Sequence, residues 1–233
     1  MPLQGEPVQG WVARPLPSGV PLVGRHCRLE PLVPARHGAD LADTFASAPD
    51  ETWAYLPYGP FSDGSAFGRW LDTIAADRDP LFHAIRDSQT GHAAGLASLM
   101  RMDPSNGVIE VGHIHFGPRL KQTPAATEAI FLLMGRVFDE LGYRRLEWKC
   151  DALNTPSRRA AERLGFTYEG TFRQASIVKG RNRDTAWFSM LDREWPQIKR
   201  GFEAWLAPVN FDANHRQCTT LIQARSATAE KPD

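Results

Sequence analysis

Two stretches of this chain carry residue types whose spacing suits chemistry. The first is Arg119-Leu120-Lys121-Gln122-Thr123-Pro124-Ala125-Ala126-Thr127-Glu128-Ala129. Proline suits a first helical position, so this stretch reads as a loop entering a helix. A helix N-terminus offers unpaired N–H groups and a partial positive charge, which together seat a phosphate. Arg119 and Lys121 add cationic charge, and the small Ala125 and Ala126 let a ligand approach the backbone. The competing reading is an ordinary helix start with solvated basic residues. The second stretch is Asn154-Thr155-Pro156-Ser157-Arg158-Arg159-Ala160-Ala161-Glu162-Arg163-Leu164-Gly165-Phe166. By mechanism alone, Asn154 and Ser157 read as helix caps rather than catalytic groups.

Other chemistries lack their residues. There is no Gly-x-Ser-x-Gly elbow, no His-Glu-x-x-His and no lysine-containing nucleotide loop. Cys27, Cys150 and Cys218 are too widely spaced for a disulfide framework or a metal cluster, and Cys150 reads as a small buried apolar residue. His113 and His115 read as packing residues, not as a metal pair, so no metal is expected.

The composition fits a globular chain. Of 233 residues 42% are apolar and 23% charged, and Lys+Arg equal Asp+Glu at 27 each. Zero net charge argues against coating nucleic acid or an anionic membrane. The longest run without charge, Ser88–Met100, has 13 residues, short of the ~20 that span a bilayer. With no secretory signal read at the N-terminus, a cytoplasmic monomer or homodimer is expected.

The elements that must position these stretches alternate between strand and helix. Residues 1–24, with five prolines and four glycines, form an extended arm that Trp11 can pin. Residues 25–207 form the domain, and 208–233, poor in large aliphatics, a disordered tail. Strands are predicted at 25–32, 81–86, 92–102 and 108–116, the last three in an antiparallel meander. Helices are predicted at 35–47 and after Ser62, and a long one over 124–141. A strand over 145–150, a short helix over 155–164, strands 166–172 and 185–191 across a 179–184 turn, and a helix over 195–205 complete the pattern. The fold class is α/β (α+β), with helices on both faces of a central sheet.

In this order and spacing, the basic loop running into Ala126-Thr127-Glu128-Ala129, followed by Asn154, Ser157 and Leu164-Gly165-Phe166, resembles the GCN5-related N-acetyltransferase superfamily. The nearest subgroup is that of the ribosomal-protein N-terminal-alanine acetyltransferases. The resemblance covers residues 25–193. It implies a mixed, mostly antiparallel sheet splayed between its fourth and fifth strands, here 108–116 and 145–150, with acetyl-CoA in the gap. Pantetheine would contact the backbone of Ile114, His115 and Phe116 as an added strand. The pyrophosphate would sit on Lys121, Gln122, Thr123, Pro124, Ala125 and Ala126. The family loop has a glycine where Pro124 stands, so one N–H donor is missing, and Gln122, Ala125 and Ala126 remain as donors.

Acetyl transfer to an amine needs a base for the ammonium and an acid for the departing thiolate. The tyrosine that serves as acid in many members is replaced by Ala161, but Ser157 matches the serine of the ribosomal subgroup. Ser157 is the candidate acid and also a coenzyme A contact, and Asn154 is a pantetheine ligand. Glu110 and His113 are candidate bases. Strict alternation puts them on opposite faces unless a bulge intervenes. Asp184 reads as an acceptor contact or a turn salt bridge, and Arg173 as a carboxylate ligand or a cross-strand partner. Trp53, Tyr55 and Tyr58 fall where the family builds its acceptor wall, or in a packed core with a 57–60 turn. The activity implied is direct transfer of acetyl from acetyl-CoA to a primary amine, a protein N-terminus or a small amine. The alternatives are a non-catalytic acyl-CoA sensor or scaffold, or a resistance acetyltransferase for antibiotic-like molecules.

Overall fold

The computed structural model describes residues 4–214 and 216–229. Eight strands form one sheet: β1 Leu22–Val23, β2 Cys27–Pro31, β3 Leu81–Asp87, β4 Ala93–Asp103, β5 Val108–Phe116, β6 Arg145–Asp151, β7 Thr167–Val178 and β8 Arg181–Leu191. Their order is β1-β2-β3-β4-β5-β6-β8-β7. Every pairing is antiparallel except β5 with β6. Helices α1 Pro34–Ala46, α2 Gly64–Ala76, α3 Pro124–Gly135, α4 Thr155–Leu164, α5 Trp195–Leu206 and α6 Leu221–Ala229 cover the two faces. Among the described residues no helix is long and apolar enough to cross a membrane.

Period-two patterning builds two cores. On β3, Phe82 and Ala84 join α1 and α2 on one face, while Ile85 joins α3, α5 and α6 on the other. The α1/α2 core is a cluster of aromatic rings around Trp53, which meets Phe45, Phe61 and His115 edge-on at 5.4, 5.4 and 4.0 Å. On the other face α3 is buried nearly all round. Its Glu128 accepts backbone N–H bonds from Arg25, His26 and Cys27 at 2.9, 2.6 and 2.8 Å. Buried polar groups must be paired, so this residue of the loop-to-helix stretch clamps the β1–β2 turn.

The long predicted helix over 124–141 is α3 continued by a wider π turn at Arg136–Glu140. The turn expected at 179–184 is confined to Lys179-Gly180, and the strands on either side run longer than expected. Trp11 pins the N-terminal arm, its indole N–H donating to the Ser105 carbonyl at 2.7 Å while Arg14 stacks on the ring at 4.5 Å.

The expectation of disorder over 208–233 is corrected for the described residues 208–214 and 216–229, and the rest of it lies outside the described residues. Leu221 is fully buried and α6 lies against α5, where Gly201 gives Arg225 room that a Cβ would fill. The tail is tied by polar groups rather than by many aliphatics. The buried Asn210 side chain donates to Trp205 and Thr219 carbonyls at 2.9 and 3.1 Å and accepts from Thr219 N–H at 2.8 Å.

Candidate active site

The parallel β5–β6 ladder pairs only Val108 to Glu110 with Arg145 to Glu147. Beyond Glu110 the strands part, and the β6-facing edge of β5 has no strand beside it. A cavity of about 1080 Å³ opens in this gap. Its walls come from the segment around Tyr55, the β7–β8 hairpin and the start of α4. Two long-range bonds tie the rim: Tyr55 Oη donates to the Leu153 carbonyl at 3.2 Å, and Lys179 Nζ to the Trp53 carbonyl at 2.8 Å.

At the α4 side, Asn154 Oδ1 accepts the Ser157 N–H at 3.1 Å and so caps the helix. Ser157 Oγ accepts the Trp148 indole N–H at 3.0 Å. A hydroxyl that accepts one bond still has its own proton to donate. Cys150 lines the same wall with its thiol pKa raised by burial, which keeps it protonated.

The α3 N-terminus shows which donors the loop retains. Thr123 caps it, accepting the Ala126 N–H at 3.3 Å while donating to the Leu120 carbonyl at 2.7 Å. The expectation that Ala126 offers a free N–H is therefore corrected. The Lys121 N–H is bound to the Gly117 carbonyl at 3.1 Å. Among the described residues, the N–H groups of Gln122, Thr123 and Ala125 have no protein partner. Gln122 holds φ 61°, a left-handed turn that redirects the chain into the helix. Lys121 reaches the cavity wall, and Pro124 occupies the first helical turn.

On the opposite side a bulge decides the geometry. The β4–β5 register shifts between the pairs Leu96↔His115 and Ser98↔Gly112, and His113 takes φ 50° there. Glu110 and His113 consequently both line the cavity, where strict alternation would have parted them. Glu110 is buried and paired with Arg101 at 2.7 Å and Lys149 at 3.0 Å. Lys149 also meets Glu147 at 2.7 Å and lies 3.8 Å from the centre of the Trp187 ring. His113 Nδ1 is 3.1 Å from Tyr58 Oη, and its ring lies 5.0 Å from that of Phe82, tilted by 40°. Burial, helped by the charges of Arg101 and Arg183, holds its pKa down at about 4, so the imidazole is neutral near pH 7.

Not every expected site side chain reaches the cavity. Trp53 is core. Tyr58 stands behind His113 rather than in the wall. The His115 ring stacks on Phe45 at 4.1 Å inside the aromatic core, where burial lowers its pKa to about 3. Only its backbone and those of Ile114 and Phe116 remain on the edge of β5. Among the described residues Asp184 makes no salt bridge; it accepts from the Gln174 N–H at 2.7 Å and from Asn182 at 3.0 Å, pinning a bulge in β7. Tyr55 and Arg173 do line the cavity. Sequence reasoning missed Trp148, Lys149, Arg101, Arg183 and Trp187. Cross-strand pairs such as Lys149↔Trp187 exist only once register is known. Among the described residues no three His, Cys, Asp or Glu groups gather as metal ligands.

The chain is similar to known proteins over most of its length. Residues 28–167 fit the model of the acetyltransferase (GNAT) domain. A crystal structure of a GCN5-related N-acetyltransferase from Brucella melitensis is 50% identical, with a TM-score of 0.93 over 94% of this chain and 100% of that one. An uncharacterized N-acetyltransferase of Bacillus licheniformis is 29% identical over 164 residues, 67% of this chain and 89% of its own length. A Bacillus subtilis (strain 168) chain named for ribosomal N-acetyltransferase activity is 31% identical over 105 residues, 45% of this chain and 57% of its own.

Proposed function

Because the chain belongs to the GNAT acetyltransferase family, we propose that it moves an acetyl group from acetyl-CoA to a primary amine by direct attack in a ternary complex. The acceptor is a protein N-terminus or a small amine. Acetyl-CoA supplies the acetyl group already activated as a thioester, and its use is general to the family. The residues present fit it. Lys121 and the free N–H groups of Gln122, Thr123 and Ala125 would hold the pyrophosphate despite Pro124. The open edge of β5 at 114–116 would take pantetheine, with Asn154 Nδ2 beside it.

One observation carries the reading: the β5–β6 ladder stops at Glu110↔Glu147, and Ser157 lines the cavity that opens there with a donatable proton. Ser157 is the acid for the departing sulfur. When Nδ1–H of His113 donates to Tyr58, Nε2 keeps a lone pair for the proton of the attacking amine. A group titrating near 4 holds that proton only briefly and passes it to water. Glu110 shares its charge with Arg101 and Lys149, which leaves His113 the better-placed acceptor. Phe172, exposed and lining the cavity, supports a peptide-like acceptor over a small polar one.

The test is release of coenzyme A thiol on mixing the protein with acetyl-CoA and a panel of peptides and small amines. Release that depends on an amine, with N-acetylated product by mass, is the expected result. Acetyl-CoA binding with no amine-dependent release would leave a binding module and contradict the reading.

A further inference from the structure

The cations lining the acceptor side differ in their surroundings, and Arg173 is exposed on β7. Arg101 and Lys149 are matched by Glu110 and Glu147 within 3.0 Å. Arg183 on β8 makes no ion pair and no side-chain hydrogen bond among the described residues, yet it lines the cavity and its Nε is closed to solvent. Its strand neighbour Trp187 lines the same wall with an indole N–H that is also buried and unpartnered. Residues 183, 185 and 187 share one face of β8 by the two-residue period, and all three line the cavity. Arg183, Thr185 and Trp187 thus form a row of donors, two of them unsatisfied. A buried donor without a partner is costly, so such a row marks the seat of an acceptor-bearing ligand.

Position says which ligand. Arg183 lines the cavity together with His113, Cys150 and Ser157, so it faces the gap in which transfer would occur. Trp187 lies on Lys149, the partner of Glu110. A guanidinium pairs with a carboxylate through two parallel N–H bonds.

The geometry points to Arg183, with the Trp187 N–H, as the site that binds a carboxylate carried by the acceptor amine. This inference rests on the transfer reading above. The carboxylate has two sources: the α-carboxylate of a small amino-acid-like amine, or an acidic side chain next to the N-terminal residue of a peptide. Arg183 is here a specificity residue; it carries no proton in the transfer, and its charge only adds to the burial that keeps His113 neutral.

The experiment measures kcat/KM for matched acceptors that differ only in charge. One arm compares free amino acids with their primary amides, and the other compares alanine-led tetrapeptides with glutamate or glutamine in second place. The wild-type protein should favour the carboxylate member of one arm by about tenfold or more, and the favoured arm identifies the source. Arg183→Gln should abolish that preference by raising KM for the carboxylate acceptor alone. The amide acceptor and the dissociation constant of acetyl-CoA should stay within about twofold. Arg183→Lys keeps the charge without the fork and should retain part of the preference. Thermal unfolding of both variants identifies any loss due to misfolding. Turnover with no charge preference in the wild type, or equal loss on both acceptors in Arg183→Gln, overturns the assignment of Arg183 alone. No turnover of any amine overturns the transfer reading, and the assignment falls with it.

Discussion

The two sides of the β5–β6 gap are built by opposite means. On the α3/α4 side the groups facing the cavity are backbone N–H donors, a cap and one hydroxyl, each set by residues close in sequence: Thr123 with Ala126, and Asn154 with Ser157. On the hairpin side they are charged and aromatic side chains from β4, β5, β6 and β8, locked to one another across strands. The first side follows from local chain geometry and offers generic anion and strand-edge binding. The second depends on register and two bulges, and offers selectivity. This division suits a transferase with a common donor and its own acceptor.

The largest test of the contrast removes the centre of the charged side. Lys149 is 8% exposed between two carboxylates, so Lys149→Met leaves Glu110 and Glu147 short of a partner. Stability should fall by about 3 kcal/mol in urea denaturation. Lys121→Met, on the backbone-lined side, should change it by less than about 0.5 kcal/mol. Equal costs would erase the distinction.

Acid should act on the same side next. His113 and His115 are held by burial at about 4 and about 3, below the usual 6.5. Below about pH 6.5 the unfolded chain therefore binds more protons than the folded one, so stability falls as the pH drops from there towards 4. His115→Phe should flatten this slope in denaturation midpoints measured from pH 4 to 7. An unchanged slope would show that His115 is not buried as neutral imidazole.

The smallest effect belongs to the backbone-lined side. Gln122→Gly relieves a left-handed residue and should leave stability unchanged or raise it by less than about 1 kcal/mol in the same assay. A clear loss would mean that the Gln122 side chain is itself a needed contact.

The same division explains what the sequence made legible. The α3/α4 side was readable because helix caps and loop-to-helix junctions are contiguous signals, as Pro124, Asn154 and Gly165 show. The element order was readable from periodicity, and strand 108–116 is placed as expected. Lys149 was not, because its partners Glu110 and Trp187 lie on other strands, and neither was Arg183, whose place in the cavity wall depends on where β8 lies in the sheet. Nor was the His113 bulge, which brings His113 into line with Glu110, since strict alternation is the default. The tail misled for a related reason: Asn210 and Gly201 order it through contacts that composition does not register.

In the proposed reaction Ser157 serves the transfer step and not the seating of acetyl-CoA. The most direct test is a paired measurement on Ser157→Ala: kcat with a competent amine, and the acetyl-CoA dissociation constant by calorimetry. The account predicts a fall in kcat of about a hundredfold with the dissociation constant within about twofold. Unchanged kcat, or a loss carried entirely by weaker acetyl-CoA binding, would contradict it.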